Sequence, residues 1–303
     1  MEAAAAAADD NDAPPSYTSA TTTALPPRPR PPPPGALLEL PILTYMRTHR
    51  VILASASPRR RALLAQLGLP DLEIRPSAAP EDLPKAELDA HEYAVRTAQR
   101  KALDVYAALV AAPAAGAGGG RFAGEEPALV IAADTVVVAG SAILEKPGSA
   151  AAHERMLARL RDAGTHRVVT GVCALAPRAD AAHPGYCAAA AAVETRVAFA
   201  PVPDDVLAAY VRTREGADKA GGYALQGLAG SLLVARVDGP VDNVVGLPVR
   251  RCLQLCEKVL FRQGRPGADD DDDDGDTDEE EDGDEEEDDE EDEERAQDAK
   301  RGG

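Results

Sequence analysis

Residues 51–64, Val-Ile-Leu-Ala-Ser-Ala-Ser-Pro-Arg-Arg-Arg-Ala-Leu-Leu, leave the chain few ways to fold. Three apolar residues make a short buried strand, Ser55-Ala56-Ser57 make a turn, and a helix opens at Pro58. Proline suits a first helical position because its missing N–H is no loss there, and Ser57 is a natural N-cap. Arg59, Arg60 and Arg61 then fall in the first turn, at the positive end of the helix dipole. Cations are unfavourable there unless an anion pairs with them. Free backbone N–H groups, small serines and clustered arginines together describe a phosphate site. Taken alone, the stretch equally admits a solvated basic patch, or a phosphorylatable serine beside basic residues.

The residues that follow mix helical and strand periodicity. Residues 128–133, Ala-Leu-Val-Ile-Ala-Ala, read as a buried strand ending in Asp134-Thr135, with 136–138 and 143–144 forming a hairpin after it. Further strands are expected at 72–74, 166–175, 190–199, 231–237 and 241–245. Helices are expected from Pro58 to Gly68, over 90–109 with Ala94, Ala98, Ala102, Val105 and Leu109 on one face, around Met156, Leu157 and Leu160, and over 203–213 and 247–261. Without strict alternation, this order predicts a sheet with both parallel and antiparallel pairs.

Charge marks the ends of the folded part. Residues 269–294 hold 23 acidic side chains, and taking them from the net −20 leaves +3. A nearly neutral body gives no electrostatic case for nucleic-acid binding. The acidic run repels itself and has nothing apolar to bury, so disorder is expected there. Residues 1–46 combine an alanine run, a Ser/Thr tract and a proline tract at 26–34 that suits extended polyproline II. That tract is a spacer, or a weak ligand for a proline-binding module. The boundaries are therefore a disordered 1–46, a folded 47–264 and a disordered 265–303. The acidic residues near the N-terminus argue against a transit peptide, the alanine run is too short for a signal peptide, and no apolar run is long enough to span a membrane.

Aromatics make up only 3% and tryptophan is absent, so the core must be aliphatic. The four cysteines show no CxxC pairing, which fits a reducing, cytoplasmic setting. Cys252 and Cys256 share a helical face with Val249 and Leu260 and read as core packing. The five histidines have no zinc-ligand spacing.

Asp134 is the most informative single position, a charge placed where open α/β sheets hold ligands, at the carboxyl end of a buried strand. From position alone, a strand-ending Asp that caps the next turn explains it as well or better. Glu81 in its proline-flanked loop, and Lys101 and Lys146, say little singly. Together, eight motifs occur in order from Leu53 to Pro248: Ser-x-Ser-Pro-Arg-Arg, Pro-Ser-x-x-x-Glu, Arg-Lys-Ala, Ala-Asp-Thr, Leu-Glu-Lys-Pro, Thr-Gly-Val, Asp-Lys-Ala-Gly-Gly-Tyr-x-x-Gln-Gly and Asn-Val-x-Gly-Leu-Pro. In this the chain resembles the Maf family of nucleoside triphosphate pyrophosphatases. It departs at Pro80, where relatives often carry an acid, and at Leu225, where isoleucine is usual.

The resemblance implies a single α/β domain, Maf/ITPase-like, around a mixed, elongated sheet with flanking helices and a deep cleft. It implies hydrolysis of a nucleoside triphosphate between the α and β phosphates, with a divalent cation (Mg2+ or Mn2+). Asp134 matches the general base, and Glu81 an acid assisting with metal or water, so these two would be the metal ligands. Ser55, Ser57, Arg59, Arg60, Lys101, Lys146 and Lys219 fall in the matching phosphate-holding motifs. Arg60, Thr135 and Gln226 match positions of the type that prefers dTTP and UTP. A sister type prefers 7-methylguanosine triphosphate, and a nucleotide-binding regulator with little turnover is the alternative outside enzymes. A homodimer is also implied, on the resemblance alone.

Overall fold

In the computed structural model, which describes residues 38–85, 87–111, 122, 125–178 and 185–262, the apolar run at the start of the motif is a three-residue strand, β1 (Val51–Leu53). It pairs in parallel with β2 (Glu73–Ile74) on one side and with β3 (Leu129–Ala139) on the other. The helices α2 (Pro58–Gln66) and α3 (Ala90–Ala111) make the two crossovers. Parallel strands covered on both faces must be apolar throughout, and all of β1 and the first five residues of β3 are buried.

From β3 onward the sheet turns antiparallel, with β4 (Ala142–Leu144) returning along one edge of β3 and β5 (Thr165–Pro177) along the other. β6 (Tyr186–Phe199) follows β5, and β7 (Val234–Asp238) ends the sheet. The order is β2-β1-β3-β5-β6-β7, with β4 beside β3. At 13 and 14 residues, β5 and β6 run for about 45 Å, so the expected mixed, elongated sheet is what forms.

Helix α3 covers one face and α8 (Val249–Phe261) the other. Cys252 and Cys256 are fully buried in the cluster under α8, where they pack as small apolar groups. At the far end α4 (Ala150–Asp162) and α5 (Asp204–Thr213) bury Leu157, Leu160, Leu207 and Tyr210.

Three local expectations are corrected. The folded part begins before residue 47, with α1 (Pro41–Thr48), whose Ile42, Leu43 and Met46 are buried. Pro41 stands at a first helical position, and each buried aliphatic contributes roughly 1.5–3 kcal/mol, so these residues belong to the core despite the prolines upstream. Arg47 of α1 donates to the carbonyls of Leu67 (3.0 Å) and Gly68 (3.1 Å), closing the end of α2. Residues 228–232 are helical, α6 (Leu228–Leu232), so the strand expected from Ser231 starts later, at Val234. The run Val241–Val245, expected as a strand, is instead helix α7. Its β-branched residues are overruled by Asp242, whose carboxylate accepts from Val249 N (2.7 Å) and whose carbonyl accepts from Gly246 N (3.0 Å). The proline tract, most of the Ala/Gly-rich segment at 111–127 and the acidic run lie outside the described residues.

α3 sits close on the sheet because its inward face is alanine. Ala94, Ala98 and Ala102 are fully buried, and opposite them Gly171 of β5 has no room for a side chain: a Cβ there would lie 2.3 Å from the Ala94 backbone. Gly171→Ala must therefore lift α3, at an expected cost of roughly 1–3 kcal/mol. Thermal unfolding is expected to show a melting temperature several degrees lower, with activity falling because α3 carries Lys101.

Candidate active site

β3 changes partners halfway along. Its pairing with β1 stops at Ile131, with Ala54 N adding a last bond to Ile131 O (2.8 Å), and its pairing with β4 starts at Val137. Between these, among the described residues, this edge of β3 has no strand beside it, and Asp134 and Thr135 lie in that opening. The expectation that Asp134 ends a strand is thus corrected: the strand runs on through it, held by β5 on its other edge. The charge is accommodated because the sheet is open there.

Neighbouring strand residues face opposite ways, and the opening lets both reach one cavity. Asp134 turns towards α3, where Lys101 Nζ donates to its Oδ1 at 2.7 Å and pairs with Glu81 Oε1 at 2.6 Å. The Asp134 and Lys101 side chains are only 13% and 12% exposed, whereas Glu81 is 55% exposed. The Lys101 hydrogen bond, helped by the charges of Lys101, Lys146 and Arg60, holds the Glu81 carboxyl below its ordinary range.

Thr135 turns the other way, towards α2. Arg60 donates from Nη2 to Thr135 Oγ1 (3.0 Å), from Nη1 to Ser55 Oγ (3.0 Å) and from Nε to Gly246 O (2.7 Å). Arg59 Nε donates to Val245 O at 3.3 Å. Ser57 caps α2 as expected, its Oγ accepting from Arg60 N at 3.4 Å, while its own N–H donates to Ser55 Oγ at 3.2 Å. Burial lowers the Arg60 pKa and Asp134 and Glu81 oppose that shift, and a guanidinium stays charged throughout. Three of its five N–H groups are spent on the protein. The other two are left for an anion, and a fork held at three points loses little freedom when it binds one.

The third wall is the segment 215–227. Gly221 and Gly222 have φ of +72° and +76°, and Cβ atoms there would meet Val137 and His153, each at 2.7 Å. Buried His153 also contacts Gly222 O through Nε2, and His166 Nε2 lies 2.8 Å from the hydroxyl of the wall residue Tyr223. Burial lowers the His166 pKa to about 4, so this contact is made by a neutral ring. Gln226 is exposed at the rim. The next turn is tied down by Glu215, which accepts from Leu228 N at 2.9 and 3.0 Å.

These walls enclose a cavity of about 430 Å³. It is lined by all eleven residues that the resemblance assigned to the site: Ser55, Ser57, Arg59, Arg60, Glu81, Lys101, Asp134, Thr135, Lys146, Lys219 and Gln226. Lys219 is tied to its own loop, donating to Glu215 O (2.6 Å) and pairing with Asp218. Asp104 was not legible in the sequence. One turn after Lys101, its Oδ2 accepts from Ser77 Oγ (2.7 Å), Ala78 N (2.9 Å) and Ala79 N (3.2 Å), fixing the loop that carries Glu81. An Asp on a helix surface has no distinguishing pattern until the loop is seen against it.

A pocket with five cations, two carboxylates meeting on one ammonium, and an open strand edge defines a polyanion-binding α/β protein. The model of the family described as "Maf-like protein" matches residues 50–259, and the chain belongs to the Maf family. It is 41% identical over 226 residues to a protein of Schizosaccharomyces pombe named dTTP/UTP pyrophosphatase, covering 74% of this chain and 89% of that one. Proteins of the same name from Anaeromyxobacter dehalogenans and Deinococcus radiodurans are 42% and 38% identical, over 70% and 68% of this chain and 95% and 91% of theirs.

Proposed function

We propose that this chain hydrolyses dTTP and UTP between the α and β phosphates, releasing the nucleoside monophosphate and pyrophosphate. The observation that carries the reading is the Asp134–Lys101–Glu81 constellation lying in one cavity with Arg59 and Arg60. Sequence identity near 40% to proteins named for this activity supports it.

In the proposed reaction a water oxygen adds to phosphorus as the water's proton passes to Asp134, and the pyrophosphate group leaves. Phosphoryl chemistry asks a protein mainly for positioning and charge stabilisation. Arg59, Arg60, Lys146 and Lys219 provide both around the triphosphate, and Lys101 holds the two carboxylates in register. Glu81 and Asp134 are also the hard oxygen donors that would hold a divalent cation, beside the Lys101 ammonium that both contact. Mg2+ or Mn2+ prefers one or two carboxylates plus substrate oxygens, and when bound would neutralise charge on the phosphates. No helix among the described residues is long and apolar enough to cross a membrane, and the cysteines at 173, 187, 252 and 256 are free; a cytoplasmic setting is part of the same reading.

Pyrophosphate release from UTP, dTTP, CTP, GTP and 7-methylguanosine triphosphate tests the proposal. UTP and dTTP are expected to be the best substrates. Fastest release from the methylated purine, or none from any nucleotide, overturns it. Gln226 adds a sharper test. Its amide can both donate to and accept from a uracil edge, whereas a glutamate only accepts. Gln226→Glu is expected to lower the UTP:CTP ratio of kcat/KM by about tenfold, and an unchanged ratio removes Gln226 from base choice.

A further inference from the structure

Thr135 ends a chain of buried hydroxyls. Its Oγ1 lies 3.0 Å from Thr170 Oγ1 on β5, and Thr170 Oγ1 lies 3.0 Å from the carbonyl of Asn243 on α7. Thr170 and Asn243 are both 0% exposed.

Proton accounting leaves one arrangement. A carbonyl only accepts, so Thr170 spends its single O–H on Asn243 O. Its other contact must then be one in which Thr135 donates. A guanidinium only donates, so Thr135 accepts from Arg60 Nη2. No proton is left on Thr135 for the cavity it lines, and what it presents there is a lone pair. The far end of the chain is anchored: Asn243 Nδ2 donates to Val168 O and to Thr195 Oγ1, both at 3.0 Å, and Thr195 Oγ1 donates to Pro240 O at 3.0 Å. Asn243 Oδ1 is left buried without a partner. That cost is offset by two good donor bonds that hold its backbone carbonyl where Thr170 needs it.

We propose that Thr170 and Asn243 are positioning residues for base choice: by consuming the Thr135 proton they make Thr135 an acceptor-only contact. Such a contact fits the N3–H of uracil or thymine and opposes the N3 lone pair of cytosine. The inference rests on the pyrimidine triphosphate reading above, and it locates part of the selectivity in two residues that lie behind the cavity wall.

The experiment compares kcat/KM for UTP and CTP in the full chain, Thr170→Val, Thr170→Ala and Thr170→Ser. Valine keeps the volume but removes the acceptor, so the Thr135 hydroxyl can swing and donate to cytosine N3. The UTP:CTP ratio is expected to fall about tenfold or more, while Thr170→Ser, which restores the hydroxyl, keeps the wild-type ratio. A purely structural role would lower both substrates together and leave the ratio alone. Thr170→Ala is expected to behave as valine does, and gives the same reading if the valine variant does not fold. An unchanged ratio in either variant, with UTP still turned over, overturns the inference and leaves the proposed function standing. A wild-type chain without UTP turnover overturns both.

Discussion

Asp134→Asn is expected to lower kcat for UTP by about 10²–10⁴-fold, the usual cost of losing a general base. The substitution is nearly isosteric, and an amide oxygen still accepts from Lys101, so the 2.7 Å contact can persist. What disappears is the proton acceptor and one of the two negative charges that could hold a cation. β5 pairing on both sides of the position is backbone pairing and does not depend on the side chain, so the melting temperature should barely move. The measurement is single-turnover pyrophosphate release alongside thermal unfolding. More than half of wild-type kcat in a folded variant would remove Asp134 from the chemistry.

Lys101→Met is expected to cost about 10²–10³-fold in kcat/KM, the range seen when one preorganised electrostatic donor is removed, and to change the pH dependence as well. Methionine keeps most of the stem but leaves Glu81 and Asp134 facing each other without the cation between them. Lys101 is the main cause of the low Glu81 pKa, and two adjacent carboxylates resist joint ionisation. Protonation of Glu81 therefore moves up, and the acid limb of the rate profile should shift to higher pH. The sign for stability follows from linkage. A carboxyl whose folded pKa is depressed stabilises above its unfolded pKa, and that contribution is lost as pH falls through the folded value. The melting difference between wild type and variant should thus be largest near neutral pH and close in acid. An acid limb that stays in place would mean that Lys101 does not govern the Glu81 carboxyl.

Much of the site was legible because it is written in contiguous motifs. Ser55, Ser57, Arg59 and Arg60 lie within one strand–turn–helix, where capping chemistry and helix polarity are local properties, and that unit forms as read. Asp134 stood out because a charge in an apolar strand demands a reason. The misreadings share one cause, which is that short segments are settled by what surrounds them. Val241–Val245 has strand-forming residues, yet Asp242 closes it into a helix by bonding to residues that follow. Pro41–Thr48 looked like the end of a spacer, yet α8 sets Phe261 edge-on against Tyr45 with ring centroids 5.7 Å apart.

The sequence by itself determined the kinds of group available to the site, since residue chemistry and motif spacing do not depend on the rest of the fold. It also determined the apolar runs that had to become covered strands. Only the tertiary structure decided how those groups meet. Asp134 and Thr135 face opposite sides of one strand and share a cavity because, along β3, pairing with β1 ends at Ile131 and pairing with β4 begins only at Val137. Lys101 reaches both carboxylates because Gly171 lets α3 settle onto the sheet. Asp104, Thr170 and Asn243 gain their roles from partners 25, 35 and 73 residues away along the chain. Hydrogen bonds over such separations carry no local pattern, so they exist only once the chain has closed on itself.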